Sequence, residues 1–236
     1  MKRFAHTLYW DMVRQYRNGF YLVSAFVVVL MALVLRQIGE VDWSIWWPPL
    51  LLENLVINAF YFMAGIVLLE KSEGVLEAQI VTPLRDQEYL LAKVVSLFVL
   101  SVIESLALIL IVSGPAFNWF WMLLGIAGFV ALYAFYGFFV VSRYDSITEF
   151  LMPSALWTLG FSLPLLSYFD LWRHWSLYLH PLQAPLLLIH AAYTPLPAWQ
   201  MAYAILYTAL WVGIGAIAGQ RAFYRFVIAK EGVRKP

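Results

Sequence analysis

Two carboxylates stand inside stretches that are otherwise apolar. Glu53 falls in PPLLLENLVINAF, about one turn past Pro48-Pro49 and beside Asn54 and Asn58. Glu104 falls in LFVLSVIESLALILIV, between Ser101 and Ser105. A charge held in hydrocarbon is costly and by default marks a substrate or ion pathway, unless hydrogen bonds between helices satisfy it. Glu53, Asn54, Asn58 and Glu104 are therefore the candidate lining of a transport path. Glu53 lies near a membrane surface, where it can hold a cationic group. Glu104 lies deeper and needs a polar partner or a proton. Hydrogen bonding inside a helix bundle is the plain alternative for each.

A second concentration of chemistry is the stretch Leu69 to Lys93, LEKSEGVLEAQIVTPLRDQEYLLAK, which holds eight of the chain's 15 basic and 14 acidic residues. Glu73 to Ile80 forms one short predicted helix, with Val75, Leu76 and Ile80 on one side and Glu73 and Glu77 on another. Thr82-Pro83 then opens a second, with Thr82 as N-cap and Pro83 at the first helical position. A small apolar knob rimmed by charge suits the groove of a moving partner. A solvated loop is the alternative.

Other chemistry is missing or weak. There is no G-x-x-x-x-G-K-[ST] phosphate loop, so the chain is not expected to hydrolyse ATP, and no H-E-x-x-H zinc motif. Without cysteine there are no disulfides or thiolate metal sites. His174, His180 and His190 are irregularly spaced, which favours interfacial hydrogen bonding over a metal site. Gly213, Gly215 and Ala218 satisfy a dinucleotide pattern only formally, inside an apolar run with no preceding strand. Gly215-x-x-x-Gly219 reads instead as a close helix–helix contact, within one chain or between two.

These residues sit in a chain that is 63% hydrophobic and 12% charged, which excludes an ordinary soluble domain. About 20 mainly apolar residues are needed to cross roughly 30 Å of hydrocarbon. Six spans are predicted: Phe20 to Leu35, Pro48 to Leu69, Tyr89 to Val112, Trp119 to Val141, Glu149 to Tyr168 and Trp199 to Phe223. The first is short, with Gly19, Gln37 and Ile38 completing it at the interfaces.

Thirteen of the fifteen Lys and Arg residues fall on one side of these spans, and only Arg36 and Arg173 on the other. The positive-inside rule then puts both termini and the Glu70 to Glu88 loop in the cytoplasm. Trp43, Trp46, Trp47, Trp119, Trp121, Trp172, Trp175 and Trp199 cluster at the opposite, outer ends, as interfacial anchors do. Residues 3–17 repeat Phe4, Leu8, Met12 and Tyr16 every four positions, the pattern of an amphipathic helix lying in the inner interface. His180 to Tyr193, HPLQAPLLLIHAAY, is too short to cross. It reads as a helix dipping into the outer leaflet, covered by protein or lining a wet cavity. Ser146 and Glu149 fit a capping box, and Pro153, Gly160 and Pro164 predict an irregular fifth span.

The run Glu70-Lys71 … Glu73 … Val81-Thr82-Pro83-Leu84-Arg85 … Glu88-Tyr89-Leu90 … Ala92-Lys93 resembles the coupling segment of ABC-2 type permeases. The likeness extends to both flanking spans and to the six-helix order. Tyr178-Leu179 … Pro181 … Gln183 … Pro185-Leu186-Leu187-Leu188 … Ala191-Ala192, followed by Ala198-Trp199-Gln200 … Tyr203, is similar to a narrower group, bacterial permease subunits described as fluoroquinolone exporters.

The resemblance implies one all-α integral membrane domain of ABC-2 type over residues 1–236. It would have six transmembrane helices, an interfacial helix at 3–17, a cytoplasmic coupling segment at 70–88 and an outer re-entrant segment at 169–198. Glu70, Lys71, Glu73, Val75, Leu76, Glu77, Thr82, Pro83, Leu84 and Arg85 would couple to an ATP-binding subunit. That subunit would carry the ATP and magnesium, this chain binding no cofactor or metal itself. A second permease chain, identical or related, would complete an exporter of small amphipathic or hydrophobic molecules in a bacterial inner membrane. The competing expectation is a proton-driven secondary transporter using Glu53 and Glu104. A membrane enzyme acting on lipid lacks an acid–base constellation.

Overall fold

The structure, a computed structural model, describes residues 2–75, 86–172 and 174–225. Leu76, Glu77, Thr82, Pro83, Leu84 and Arg85 of the expected coupling set lie outside the described residues. All regular structure among the described residues is helical, as lipid demands of a chain that must satisfy its backbone within each segment.

Helix α1 (Lys2–Arg17) ends where Gly19 adopts φ 79°, and α2 (Phe20–Leu35) leaves it at a bend of 60°. The face that α1 packs inward is not the one its apolar repeat suggests. Asp11 and Gln15 are buried, whereas Tyr16 is 74% exposed. At 16 residues α2 is about 24 Å long, and it meets the length of a span only when joined to α1.

The second span is one 30-residue unit, Trp43–Ser72, in three parts. Helix α3 (Trp43–Leu55) opens with the Asp42 carboxylate accepting from the Ser44 backbone N–H. Pro49 has no N–H to give to the Ile45 carbonyl one turn back. That carbonyl instead accepts the Tyr168 hydroxyl at 2.7 Å. A π-helical turn at Val56–Tyr61 follows, then α4 (Phe62–Ser72). The loosened turn is braced by Tyr133, whose hydroxyl donates to the Leu52 carbonyl at 3.2 Å.

Helix α5 (Asp86–Val112) and helix α6 (Trp119–Val141) make the third and fourth spans. Asn118 caps α6, its side-chain oxygen accepting from the Phe120 and Trp121 N–H groups. Helix α6 is the central rod, and two of its glycines explain how its neighbours come so close. A Cβ on Gly137 would sit 2.7 Å from the Phe60 carbonyl oxygen of the π turn, and one on Gly125 would sit 2.5 Å from Ile189.

The fifth span is broken as its prolines and Gly160 predict, into α7 (Ile147–Phe161) and α8 (Pro164–Tyr168). Ser146 caps α7, accepting from the Glu149 N–H, but the Glu149 carboxylate reaches the Asp145 N–H instead of closing the box on Ser146 itself. A 3-10 turn (Trp175–Leu179) leads to α9 (Gln183–Ala191), and α10 (Ala198–Phe223) is the last span. Helix α9 is about 14 Å long and buried along almost its whole length between α6, α10 and α3. Protein covers it on every side, as a non-crossing helix in lipid requires.

The tryptophan-rich end is not uniformly an interfacial belt. Trp46, Trp119, Trp172, Trp175 and Trp199 are exposed, but Trp47 is fully buried and donates its indole N–H to Ser113 at 2.8 Å. It locks α3 to the end of α5 and anchors nothing in the headgroups.

Candidate functional site

Where the charged segment leaves and re-enters the helix bundle, at the basic end, its two roots are joined. Lys93 of α5 is fully buried and donates to Glu70 of α4 at 2.7 Å and to Asp11 of α1 at 3.2 Å. Arg14 of α1 donates to the same Glu70 oxygen, and the Tyr89 hydroxyl donates to the other at 2.6 Å. Two acids and two bases balance, and each Glu70 oxygen has a partner. That is the condition under which a charge survives burial. Lys93 also lies 4.5 Å over the Tyr89 ring, and that ring packs against Phe138 of α6 and Phe223 of α10. Gln15 adds a bond to Ser96 at 2.7 Å. Three helices distant in sequence are clamped at one level.

Lys71, the next residue after Glu70, turns the other way. Its ammonium donates to the Ser142 and Tyr144 carbonyls at 3.0 and 2.6 Å and lies 3.6 Å from Asp145. These are the groups just past the end of α6, where carbonyls lack helical partners and a cation is favoured. Lys71 thus ties the root of the charged segment to the α6–α7 turn.

Glu73 is exposed, and Gly74 turns the chain at φ 69°. Glu73 and α1 border a groove of about 410 Å³ lined by Trp10, Val13, Arg14, Arg17 and Asn18. Of the expected coupling residues, Glu70 and Lys71 are inward-facing anchors, while Glu73 is exposed and Val75 half-exposed.

The four expected path residues do not form one group. Asn54, Asn58 and Glu104 are all buried, with Ser24 of α2 beside them; Glu53 is exposed and accepts from the Ser162 hydroxyl at 2.7 Å, at the α7–α8 break. Glu53 therefore lies on an open face between α3 and the fifth span, and Glu104 lies inside the bundle.

At the tryptophan-rich end each histidine has a local partner. His174 meets Ser176 at 2.8 Å, and His190 meets the Tyr168 hydroxyl at 3.4 Å. The His180 Nδ1 accepts from the Leu182 N–H at 3.3 Å. Burial pushes the His180 pKa down to about 4, against a smaller upward pull from its hydrogen bond with the Gly160 backbone. His180 is a neutral strut between the re-entrant region and α7. Gly215 and Gly219 pack within the chain: a Cβ at either would meet the Phe135 side chain of α6, at 3.2 and 3.4 Å.

Sequence reading missed Asp11, Arg14 and Gln15 as members of the site. The signal was a polar set spaced three and four apart on a helix whose apolar repeat drew attention to another face.

A family model described as the fluoroquinolones export permease protein family matches residues 2–231 of the chain. Two relatives, each described as a fluoroquinolones export permease protein, come from Mycobacterium tuberculosis strains CDC 1551 / Oshkosh and ATCC 25618 / H37Rv. Each is 29% identical over 243 residues, covering 99% of this chain and 100% of the relative.

Proposed function

Because the chain belongs to the fluoroquinolones export permease protein family, we propose that it is the membrane-spanning subunit of an ATP-driven ABC-2 type exporter. It extrudes a small amphipathic or hydrophobic substrate, a fluoroquinolone among the candidates. ATP and magnesium are held by a separate ATP-binding subunit, and a second permease chain, identical or related, completes the path. Both termini and the charged segment face the cytoplasm of a bacterial cell, across its inner membrane.

The observation that carries this reading is the clamp of Asp11, Arg14, Glu70 and Lys93 at the base of the charged segment. A partner that pushes on Glu73 and the residues after it meets a root that does not bend locally. The push passes through Glu70 to α1, α4 and α5 together, and through Lys71 to the α6–α7 turn. Packed helices then shift as rigid rods. The exposed face bearing Glu53 and the broken fifth span becomes the wall of the path, closed by the second permease. Ser162 holds the Glu53 carboxylate in place for a cationic substrate group.

The proton-driven alternative assigned Glu53 and Glu104 to one relay. Their separation, one on an open face and one enclosed, favours the ATP-driven reading. The test is accumulation of a fluorescent fluoroquinolone in inside-out membrane vesicles that carry the chain. Accumulation should require ATP hydrolysis and survive a protonophore. Accumulation that needs only a proton gradient would overturn the proposal.

A further inference from the structure

Glu104, inside the bundle, differs from Glu70 of the clamp in one respect: its oxygens lack partners. Glu104 is 3% exposed, and neither carboxylate oxygen completes a hydrogen bond among the described residues. Asn58, Ser24 and Asn54 stand near enough to act on the carboxylate. Yet the amide nitrogens of both asparagines and the hydroxyls of Ser24 and Ser101 are also buried without a partner. Glu70, by contrast, has two cations and a phenol on its oxygens.

An unpaired carboxylate in a low-dielectric interior is too costly to persist without a counter-charge. The side chains facing Glu104 from α2 and from the α3–π segment are Ser24, Asn54 and Asn58. All are neutral, and among the described residues no charged group acts on it. The carboxyl is therefore either protonated and neutral or balanced by a mobile cation. Beside the carboxylate stand the Ser24 hydroxyl and two amides, either end of which can face inward. A single negative charge surrounded by neutral oxygens suits a monovalent cation; divalent sites collect several carboxylates. Asn58 sits in the π turn, a loosened backbone of the kind often found at functional sites.

We propose that Glu104, Asn54, Asn58 and Ser24 form a buried site for one monovalent cation, Na⁺, with Glu104 as its anionic pole. The site joins α2, which continues into α1, to α5 and to the α3–α4 span, whose far ends meet again in the clamp. Its occupancy sets how firmly α2 is held to the rods that carry the charged segment. The proposal goes beyond the exporter reading and is tested without transport.

The full-length chain is purified in detergent, and two quantities are followed. One is binding of ²²Na⁺; the other is the melting temperature in NaCl against choline chloride at equal ionic strength, and in choline from pH 8.5 to 5.5. For sodium, the wild type binds about one ion per chain and gains roughly 5 °C at saturation, and Glu104→Gln shows neither. If sodium has no effect and the wild-type melting temperature rises relative to that of Glu104→Gln as pH falls, Glu104 is neutralised by protonation alone and the cation site is overturned. Ser24→Ala keeps the carboxylate and should weaken the cation response by about tenfold, so it decides the matter if Glu104→Gln does not fold. The proposal is overturned if the wild type ignores sodium, whatever its pH profile. An unchanged cation response in Ser24→Ala overturns it equally.

Discussion

Glu70 and Lys93 are 23 residues apart in sequence and 2.7 Å apart in space, and both side chains are buried. Among the described residues between them, Ser72, Glu73 and Gln87 are exposed. The pair ties the two ends of this stretch together at its base, as a fixed pivot. Asp11 and Arg14 extend the pivot to the first helix of the chain.

Removing one member of such a group leaves an uncompensated charge in a buried place. Lys93→Met should cost about 3–5 kcal/mol, read as loss of unfolding free energy in detergent. Combining it with Glu70→Gln should cost less than the sum of the two single changes, with a coupling of about 1–3 kcal/mol. Strict additivity would mean that the two side chains do not act as a pair.

Lys71 offers a separation of stability from transmission. Lys71→Met loses two charge-assisted hydrogen bonds at a partly exposed site, a cost of about 1–3 kcal/mol, and the fold should survive. The number of ATP molecules hydrolysed per substrate exported should rise by about tenfold or more, as expected when about 1.4 kcal/mol or more of coupling is lost. A ratio equal to that of the wild type would remove the α6–α7 turn from the coupling route.

Glu73 is exposed just outside the pivot, and Leu76 follows it in sequence. Changing both to alanine should leave membrane insertion and melting temperature near wild-type values while efflux driven by ATP falls to background. Normal efflux from that variant would count against docking at this segment.

His180 gives the outer region a pH dependence of definite sign. Its folded pKa, about 4, lies below the ordinary value of 6.5. The unfolded chain therefore binds the proton first as pH falls. The stability that His180 contributes is present above about pH 6.5 and is lost between there and about pH 4. His180→Gln should flatten this part of the stability profile, measured by thermal unfolding from pH 7.5 to 4.5. A wild-type profile with the same slope as the variant would show that His180 is already protonated or freely solvated in the fold.

Much of this molecule is legible in its sequence because lipid leaves few options. The fourth span is Trp119 to Val141 in both readings, since an apolar run bounded by Asn118 and by Ser142-Arg143 admits no other boundary. The fifth-span break and the buried α9 follow from proline positions and run length. Side-chain partnerships across helices are less legible. Nothing in the local pattern says that Asp11 faces Lys93, or that Glu53 turns outward while Asn54 turns in, because those facts depend on helix rotation. The π turn at Val56–Tyr61 lies against a neighbour distant in sequence, Gly137 of α6, which its own residues do not reveal. Trp47 passes for an interfacial anchor until its partner Ser113 is seen.

The most direct measurement is purification of the tagged chain from its native membrane in mild detergent, with identification of everything that accompanies it in stoichiometric amount. The exporter reading predicts a subunit carrying a phosphate-binding loop, retained by the wild type and lost when Glu73 and Leu76 are replaced. A chain that purifies as a homo-oligomer and transports without any ATP-binding subunit would contradict it.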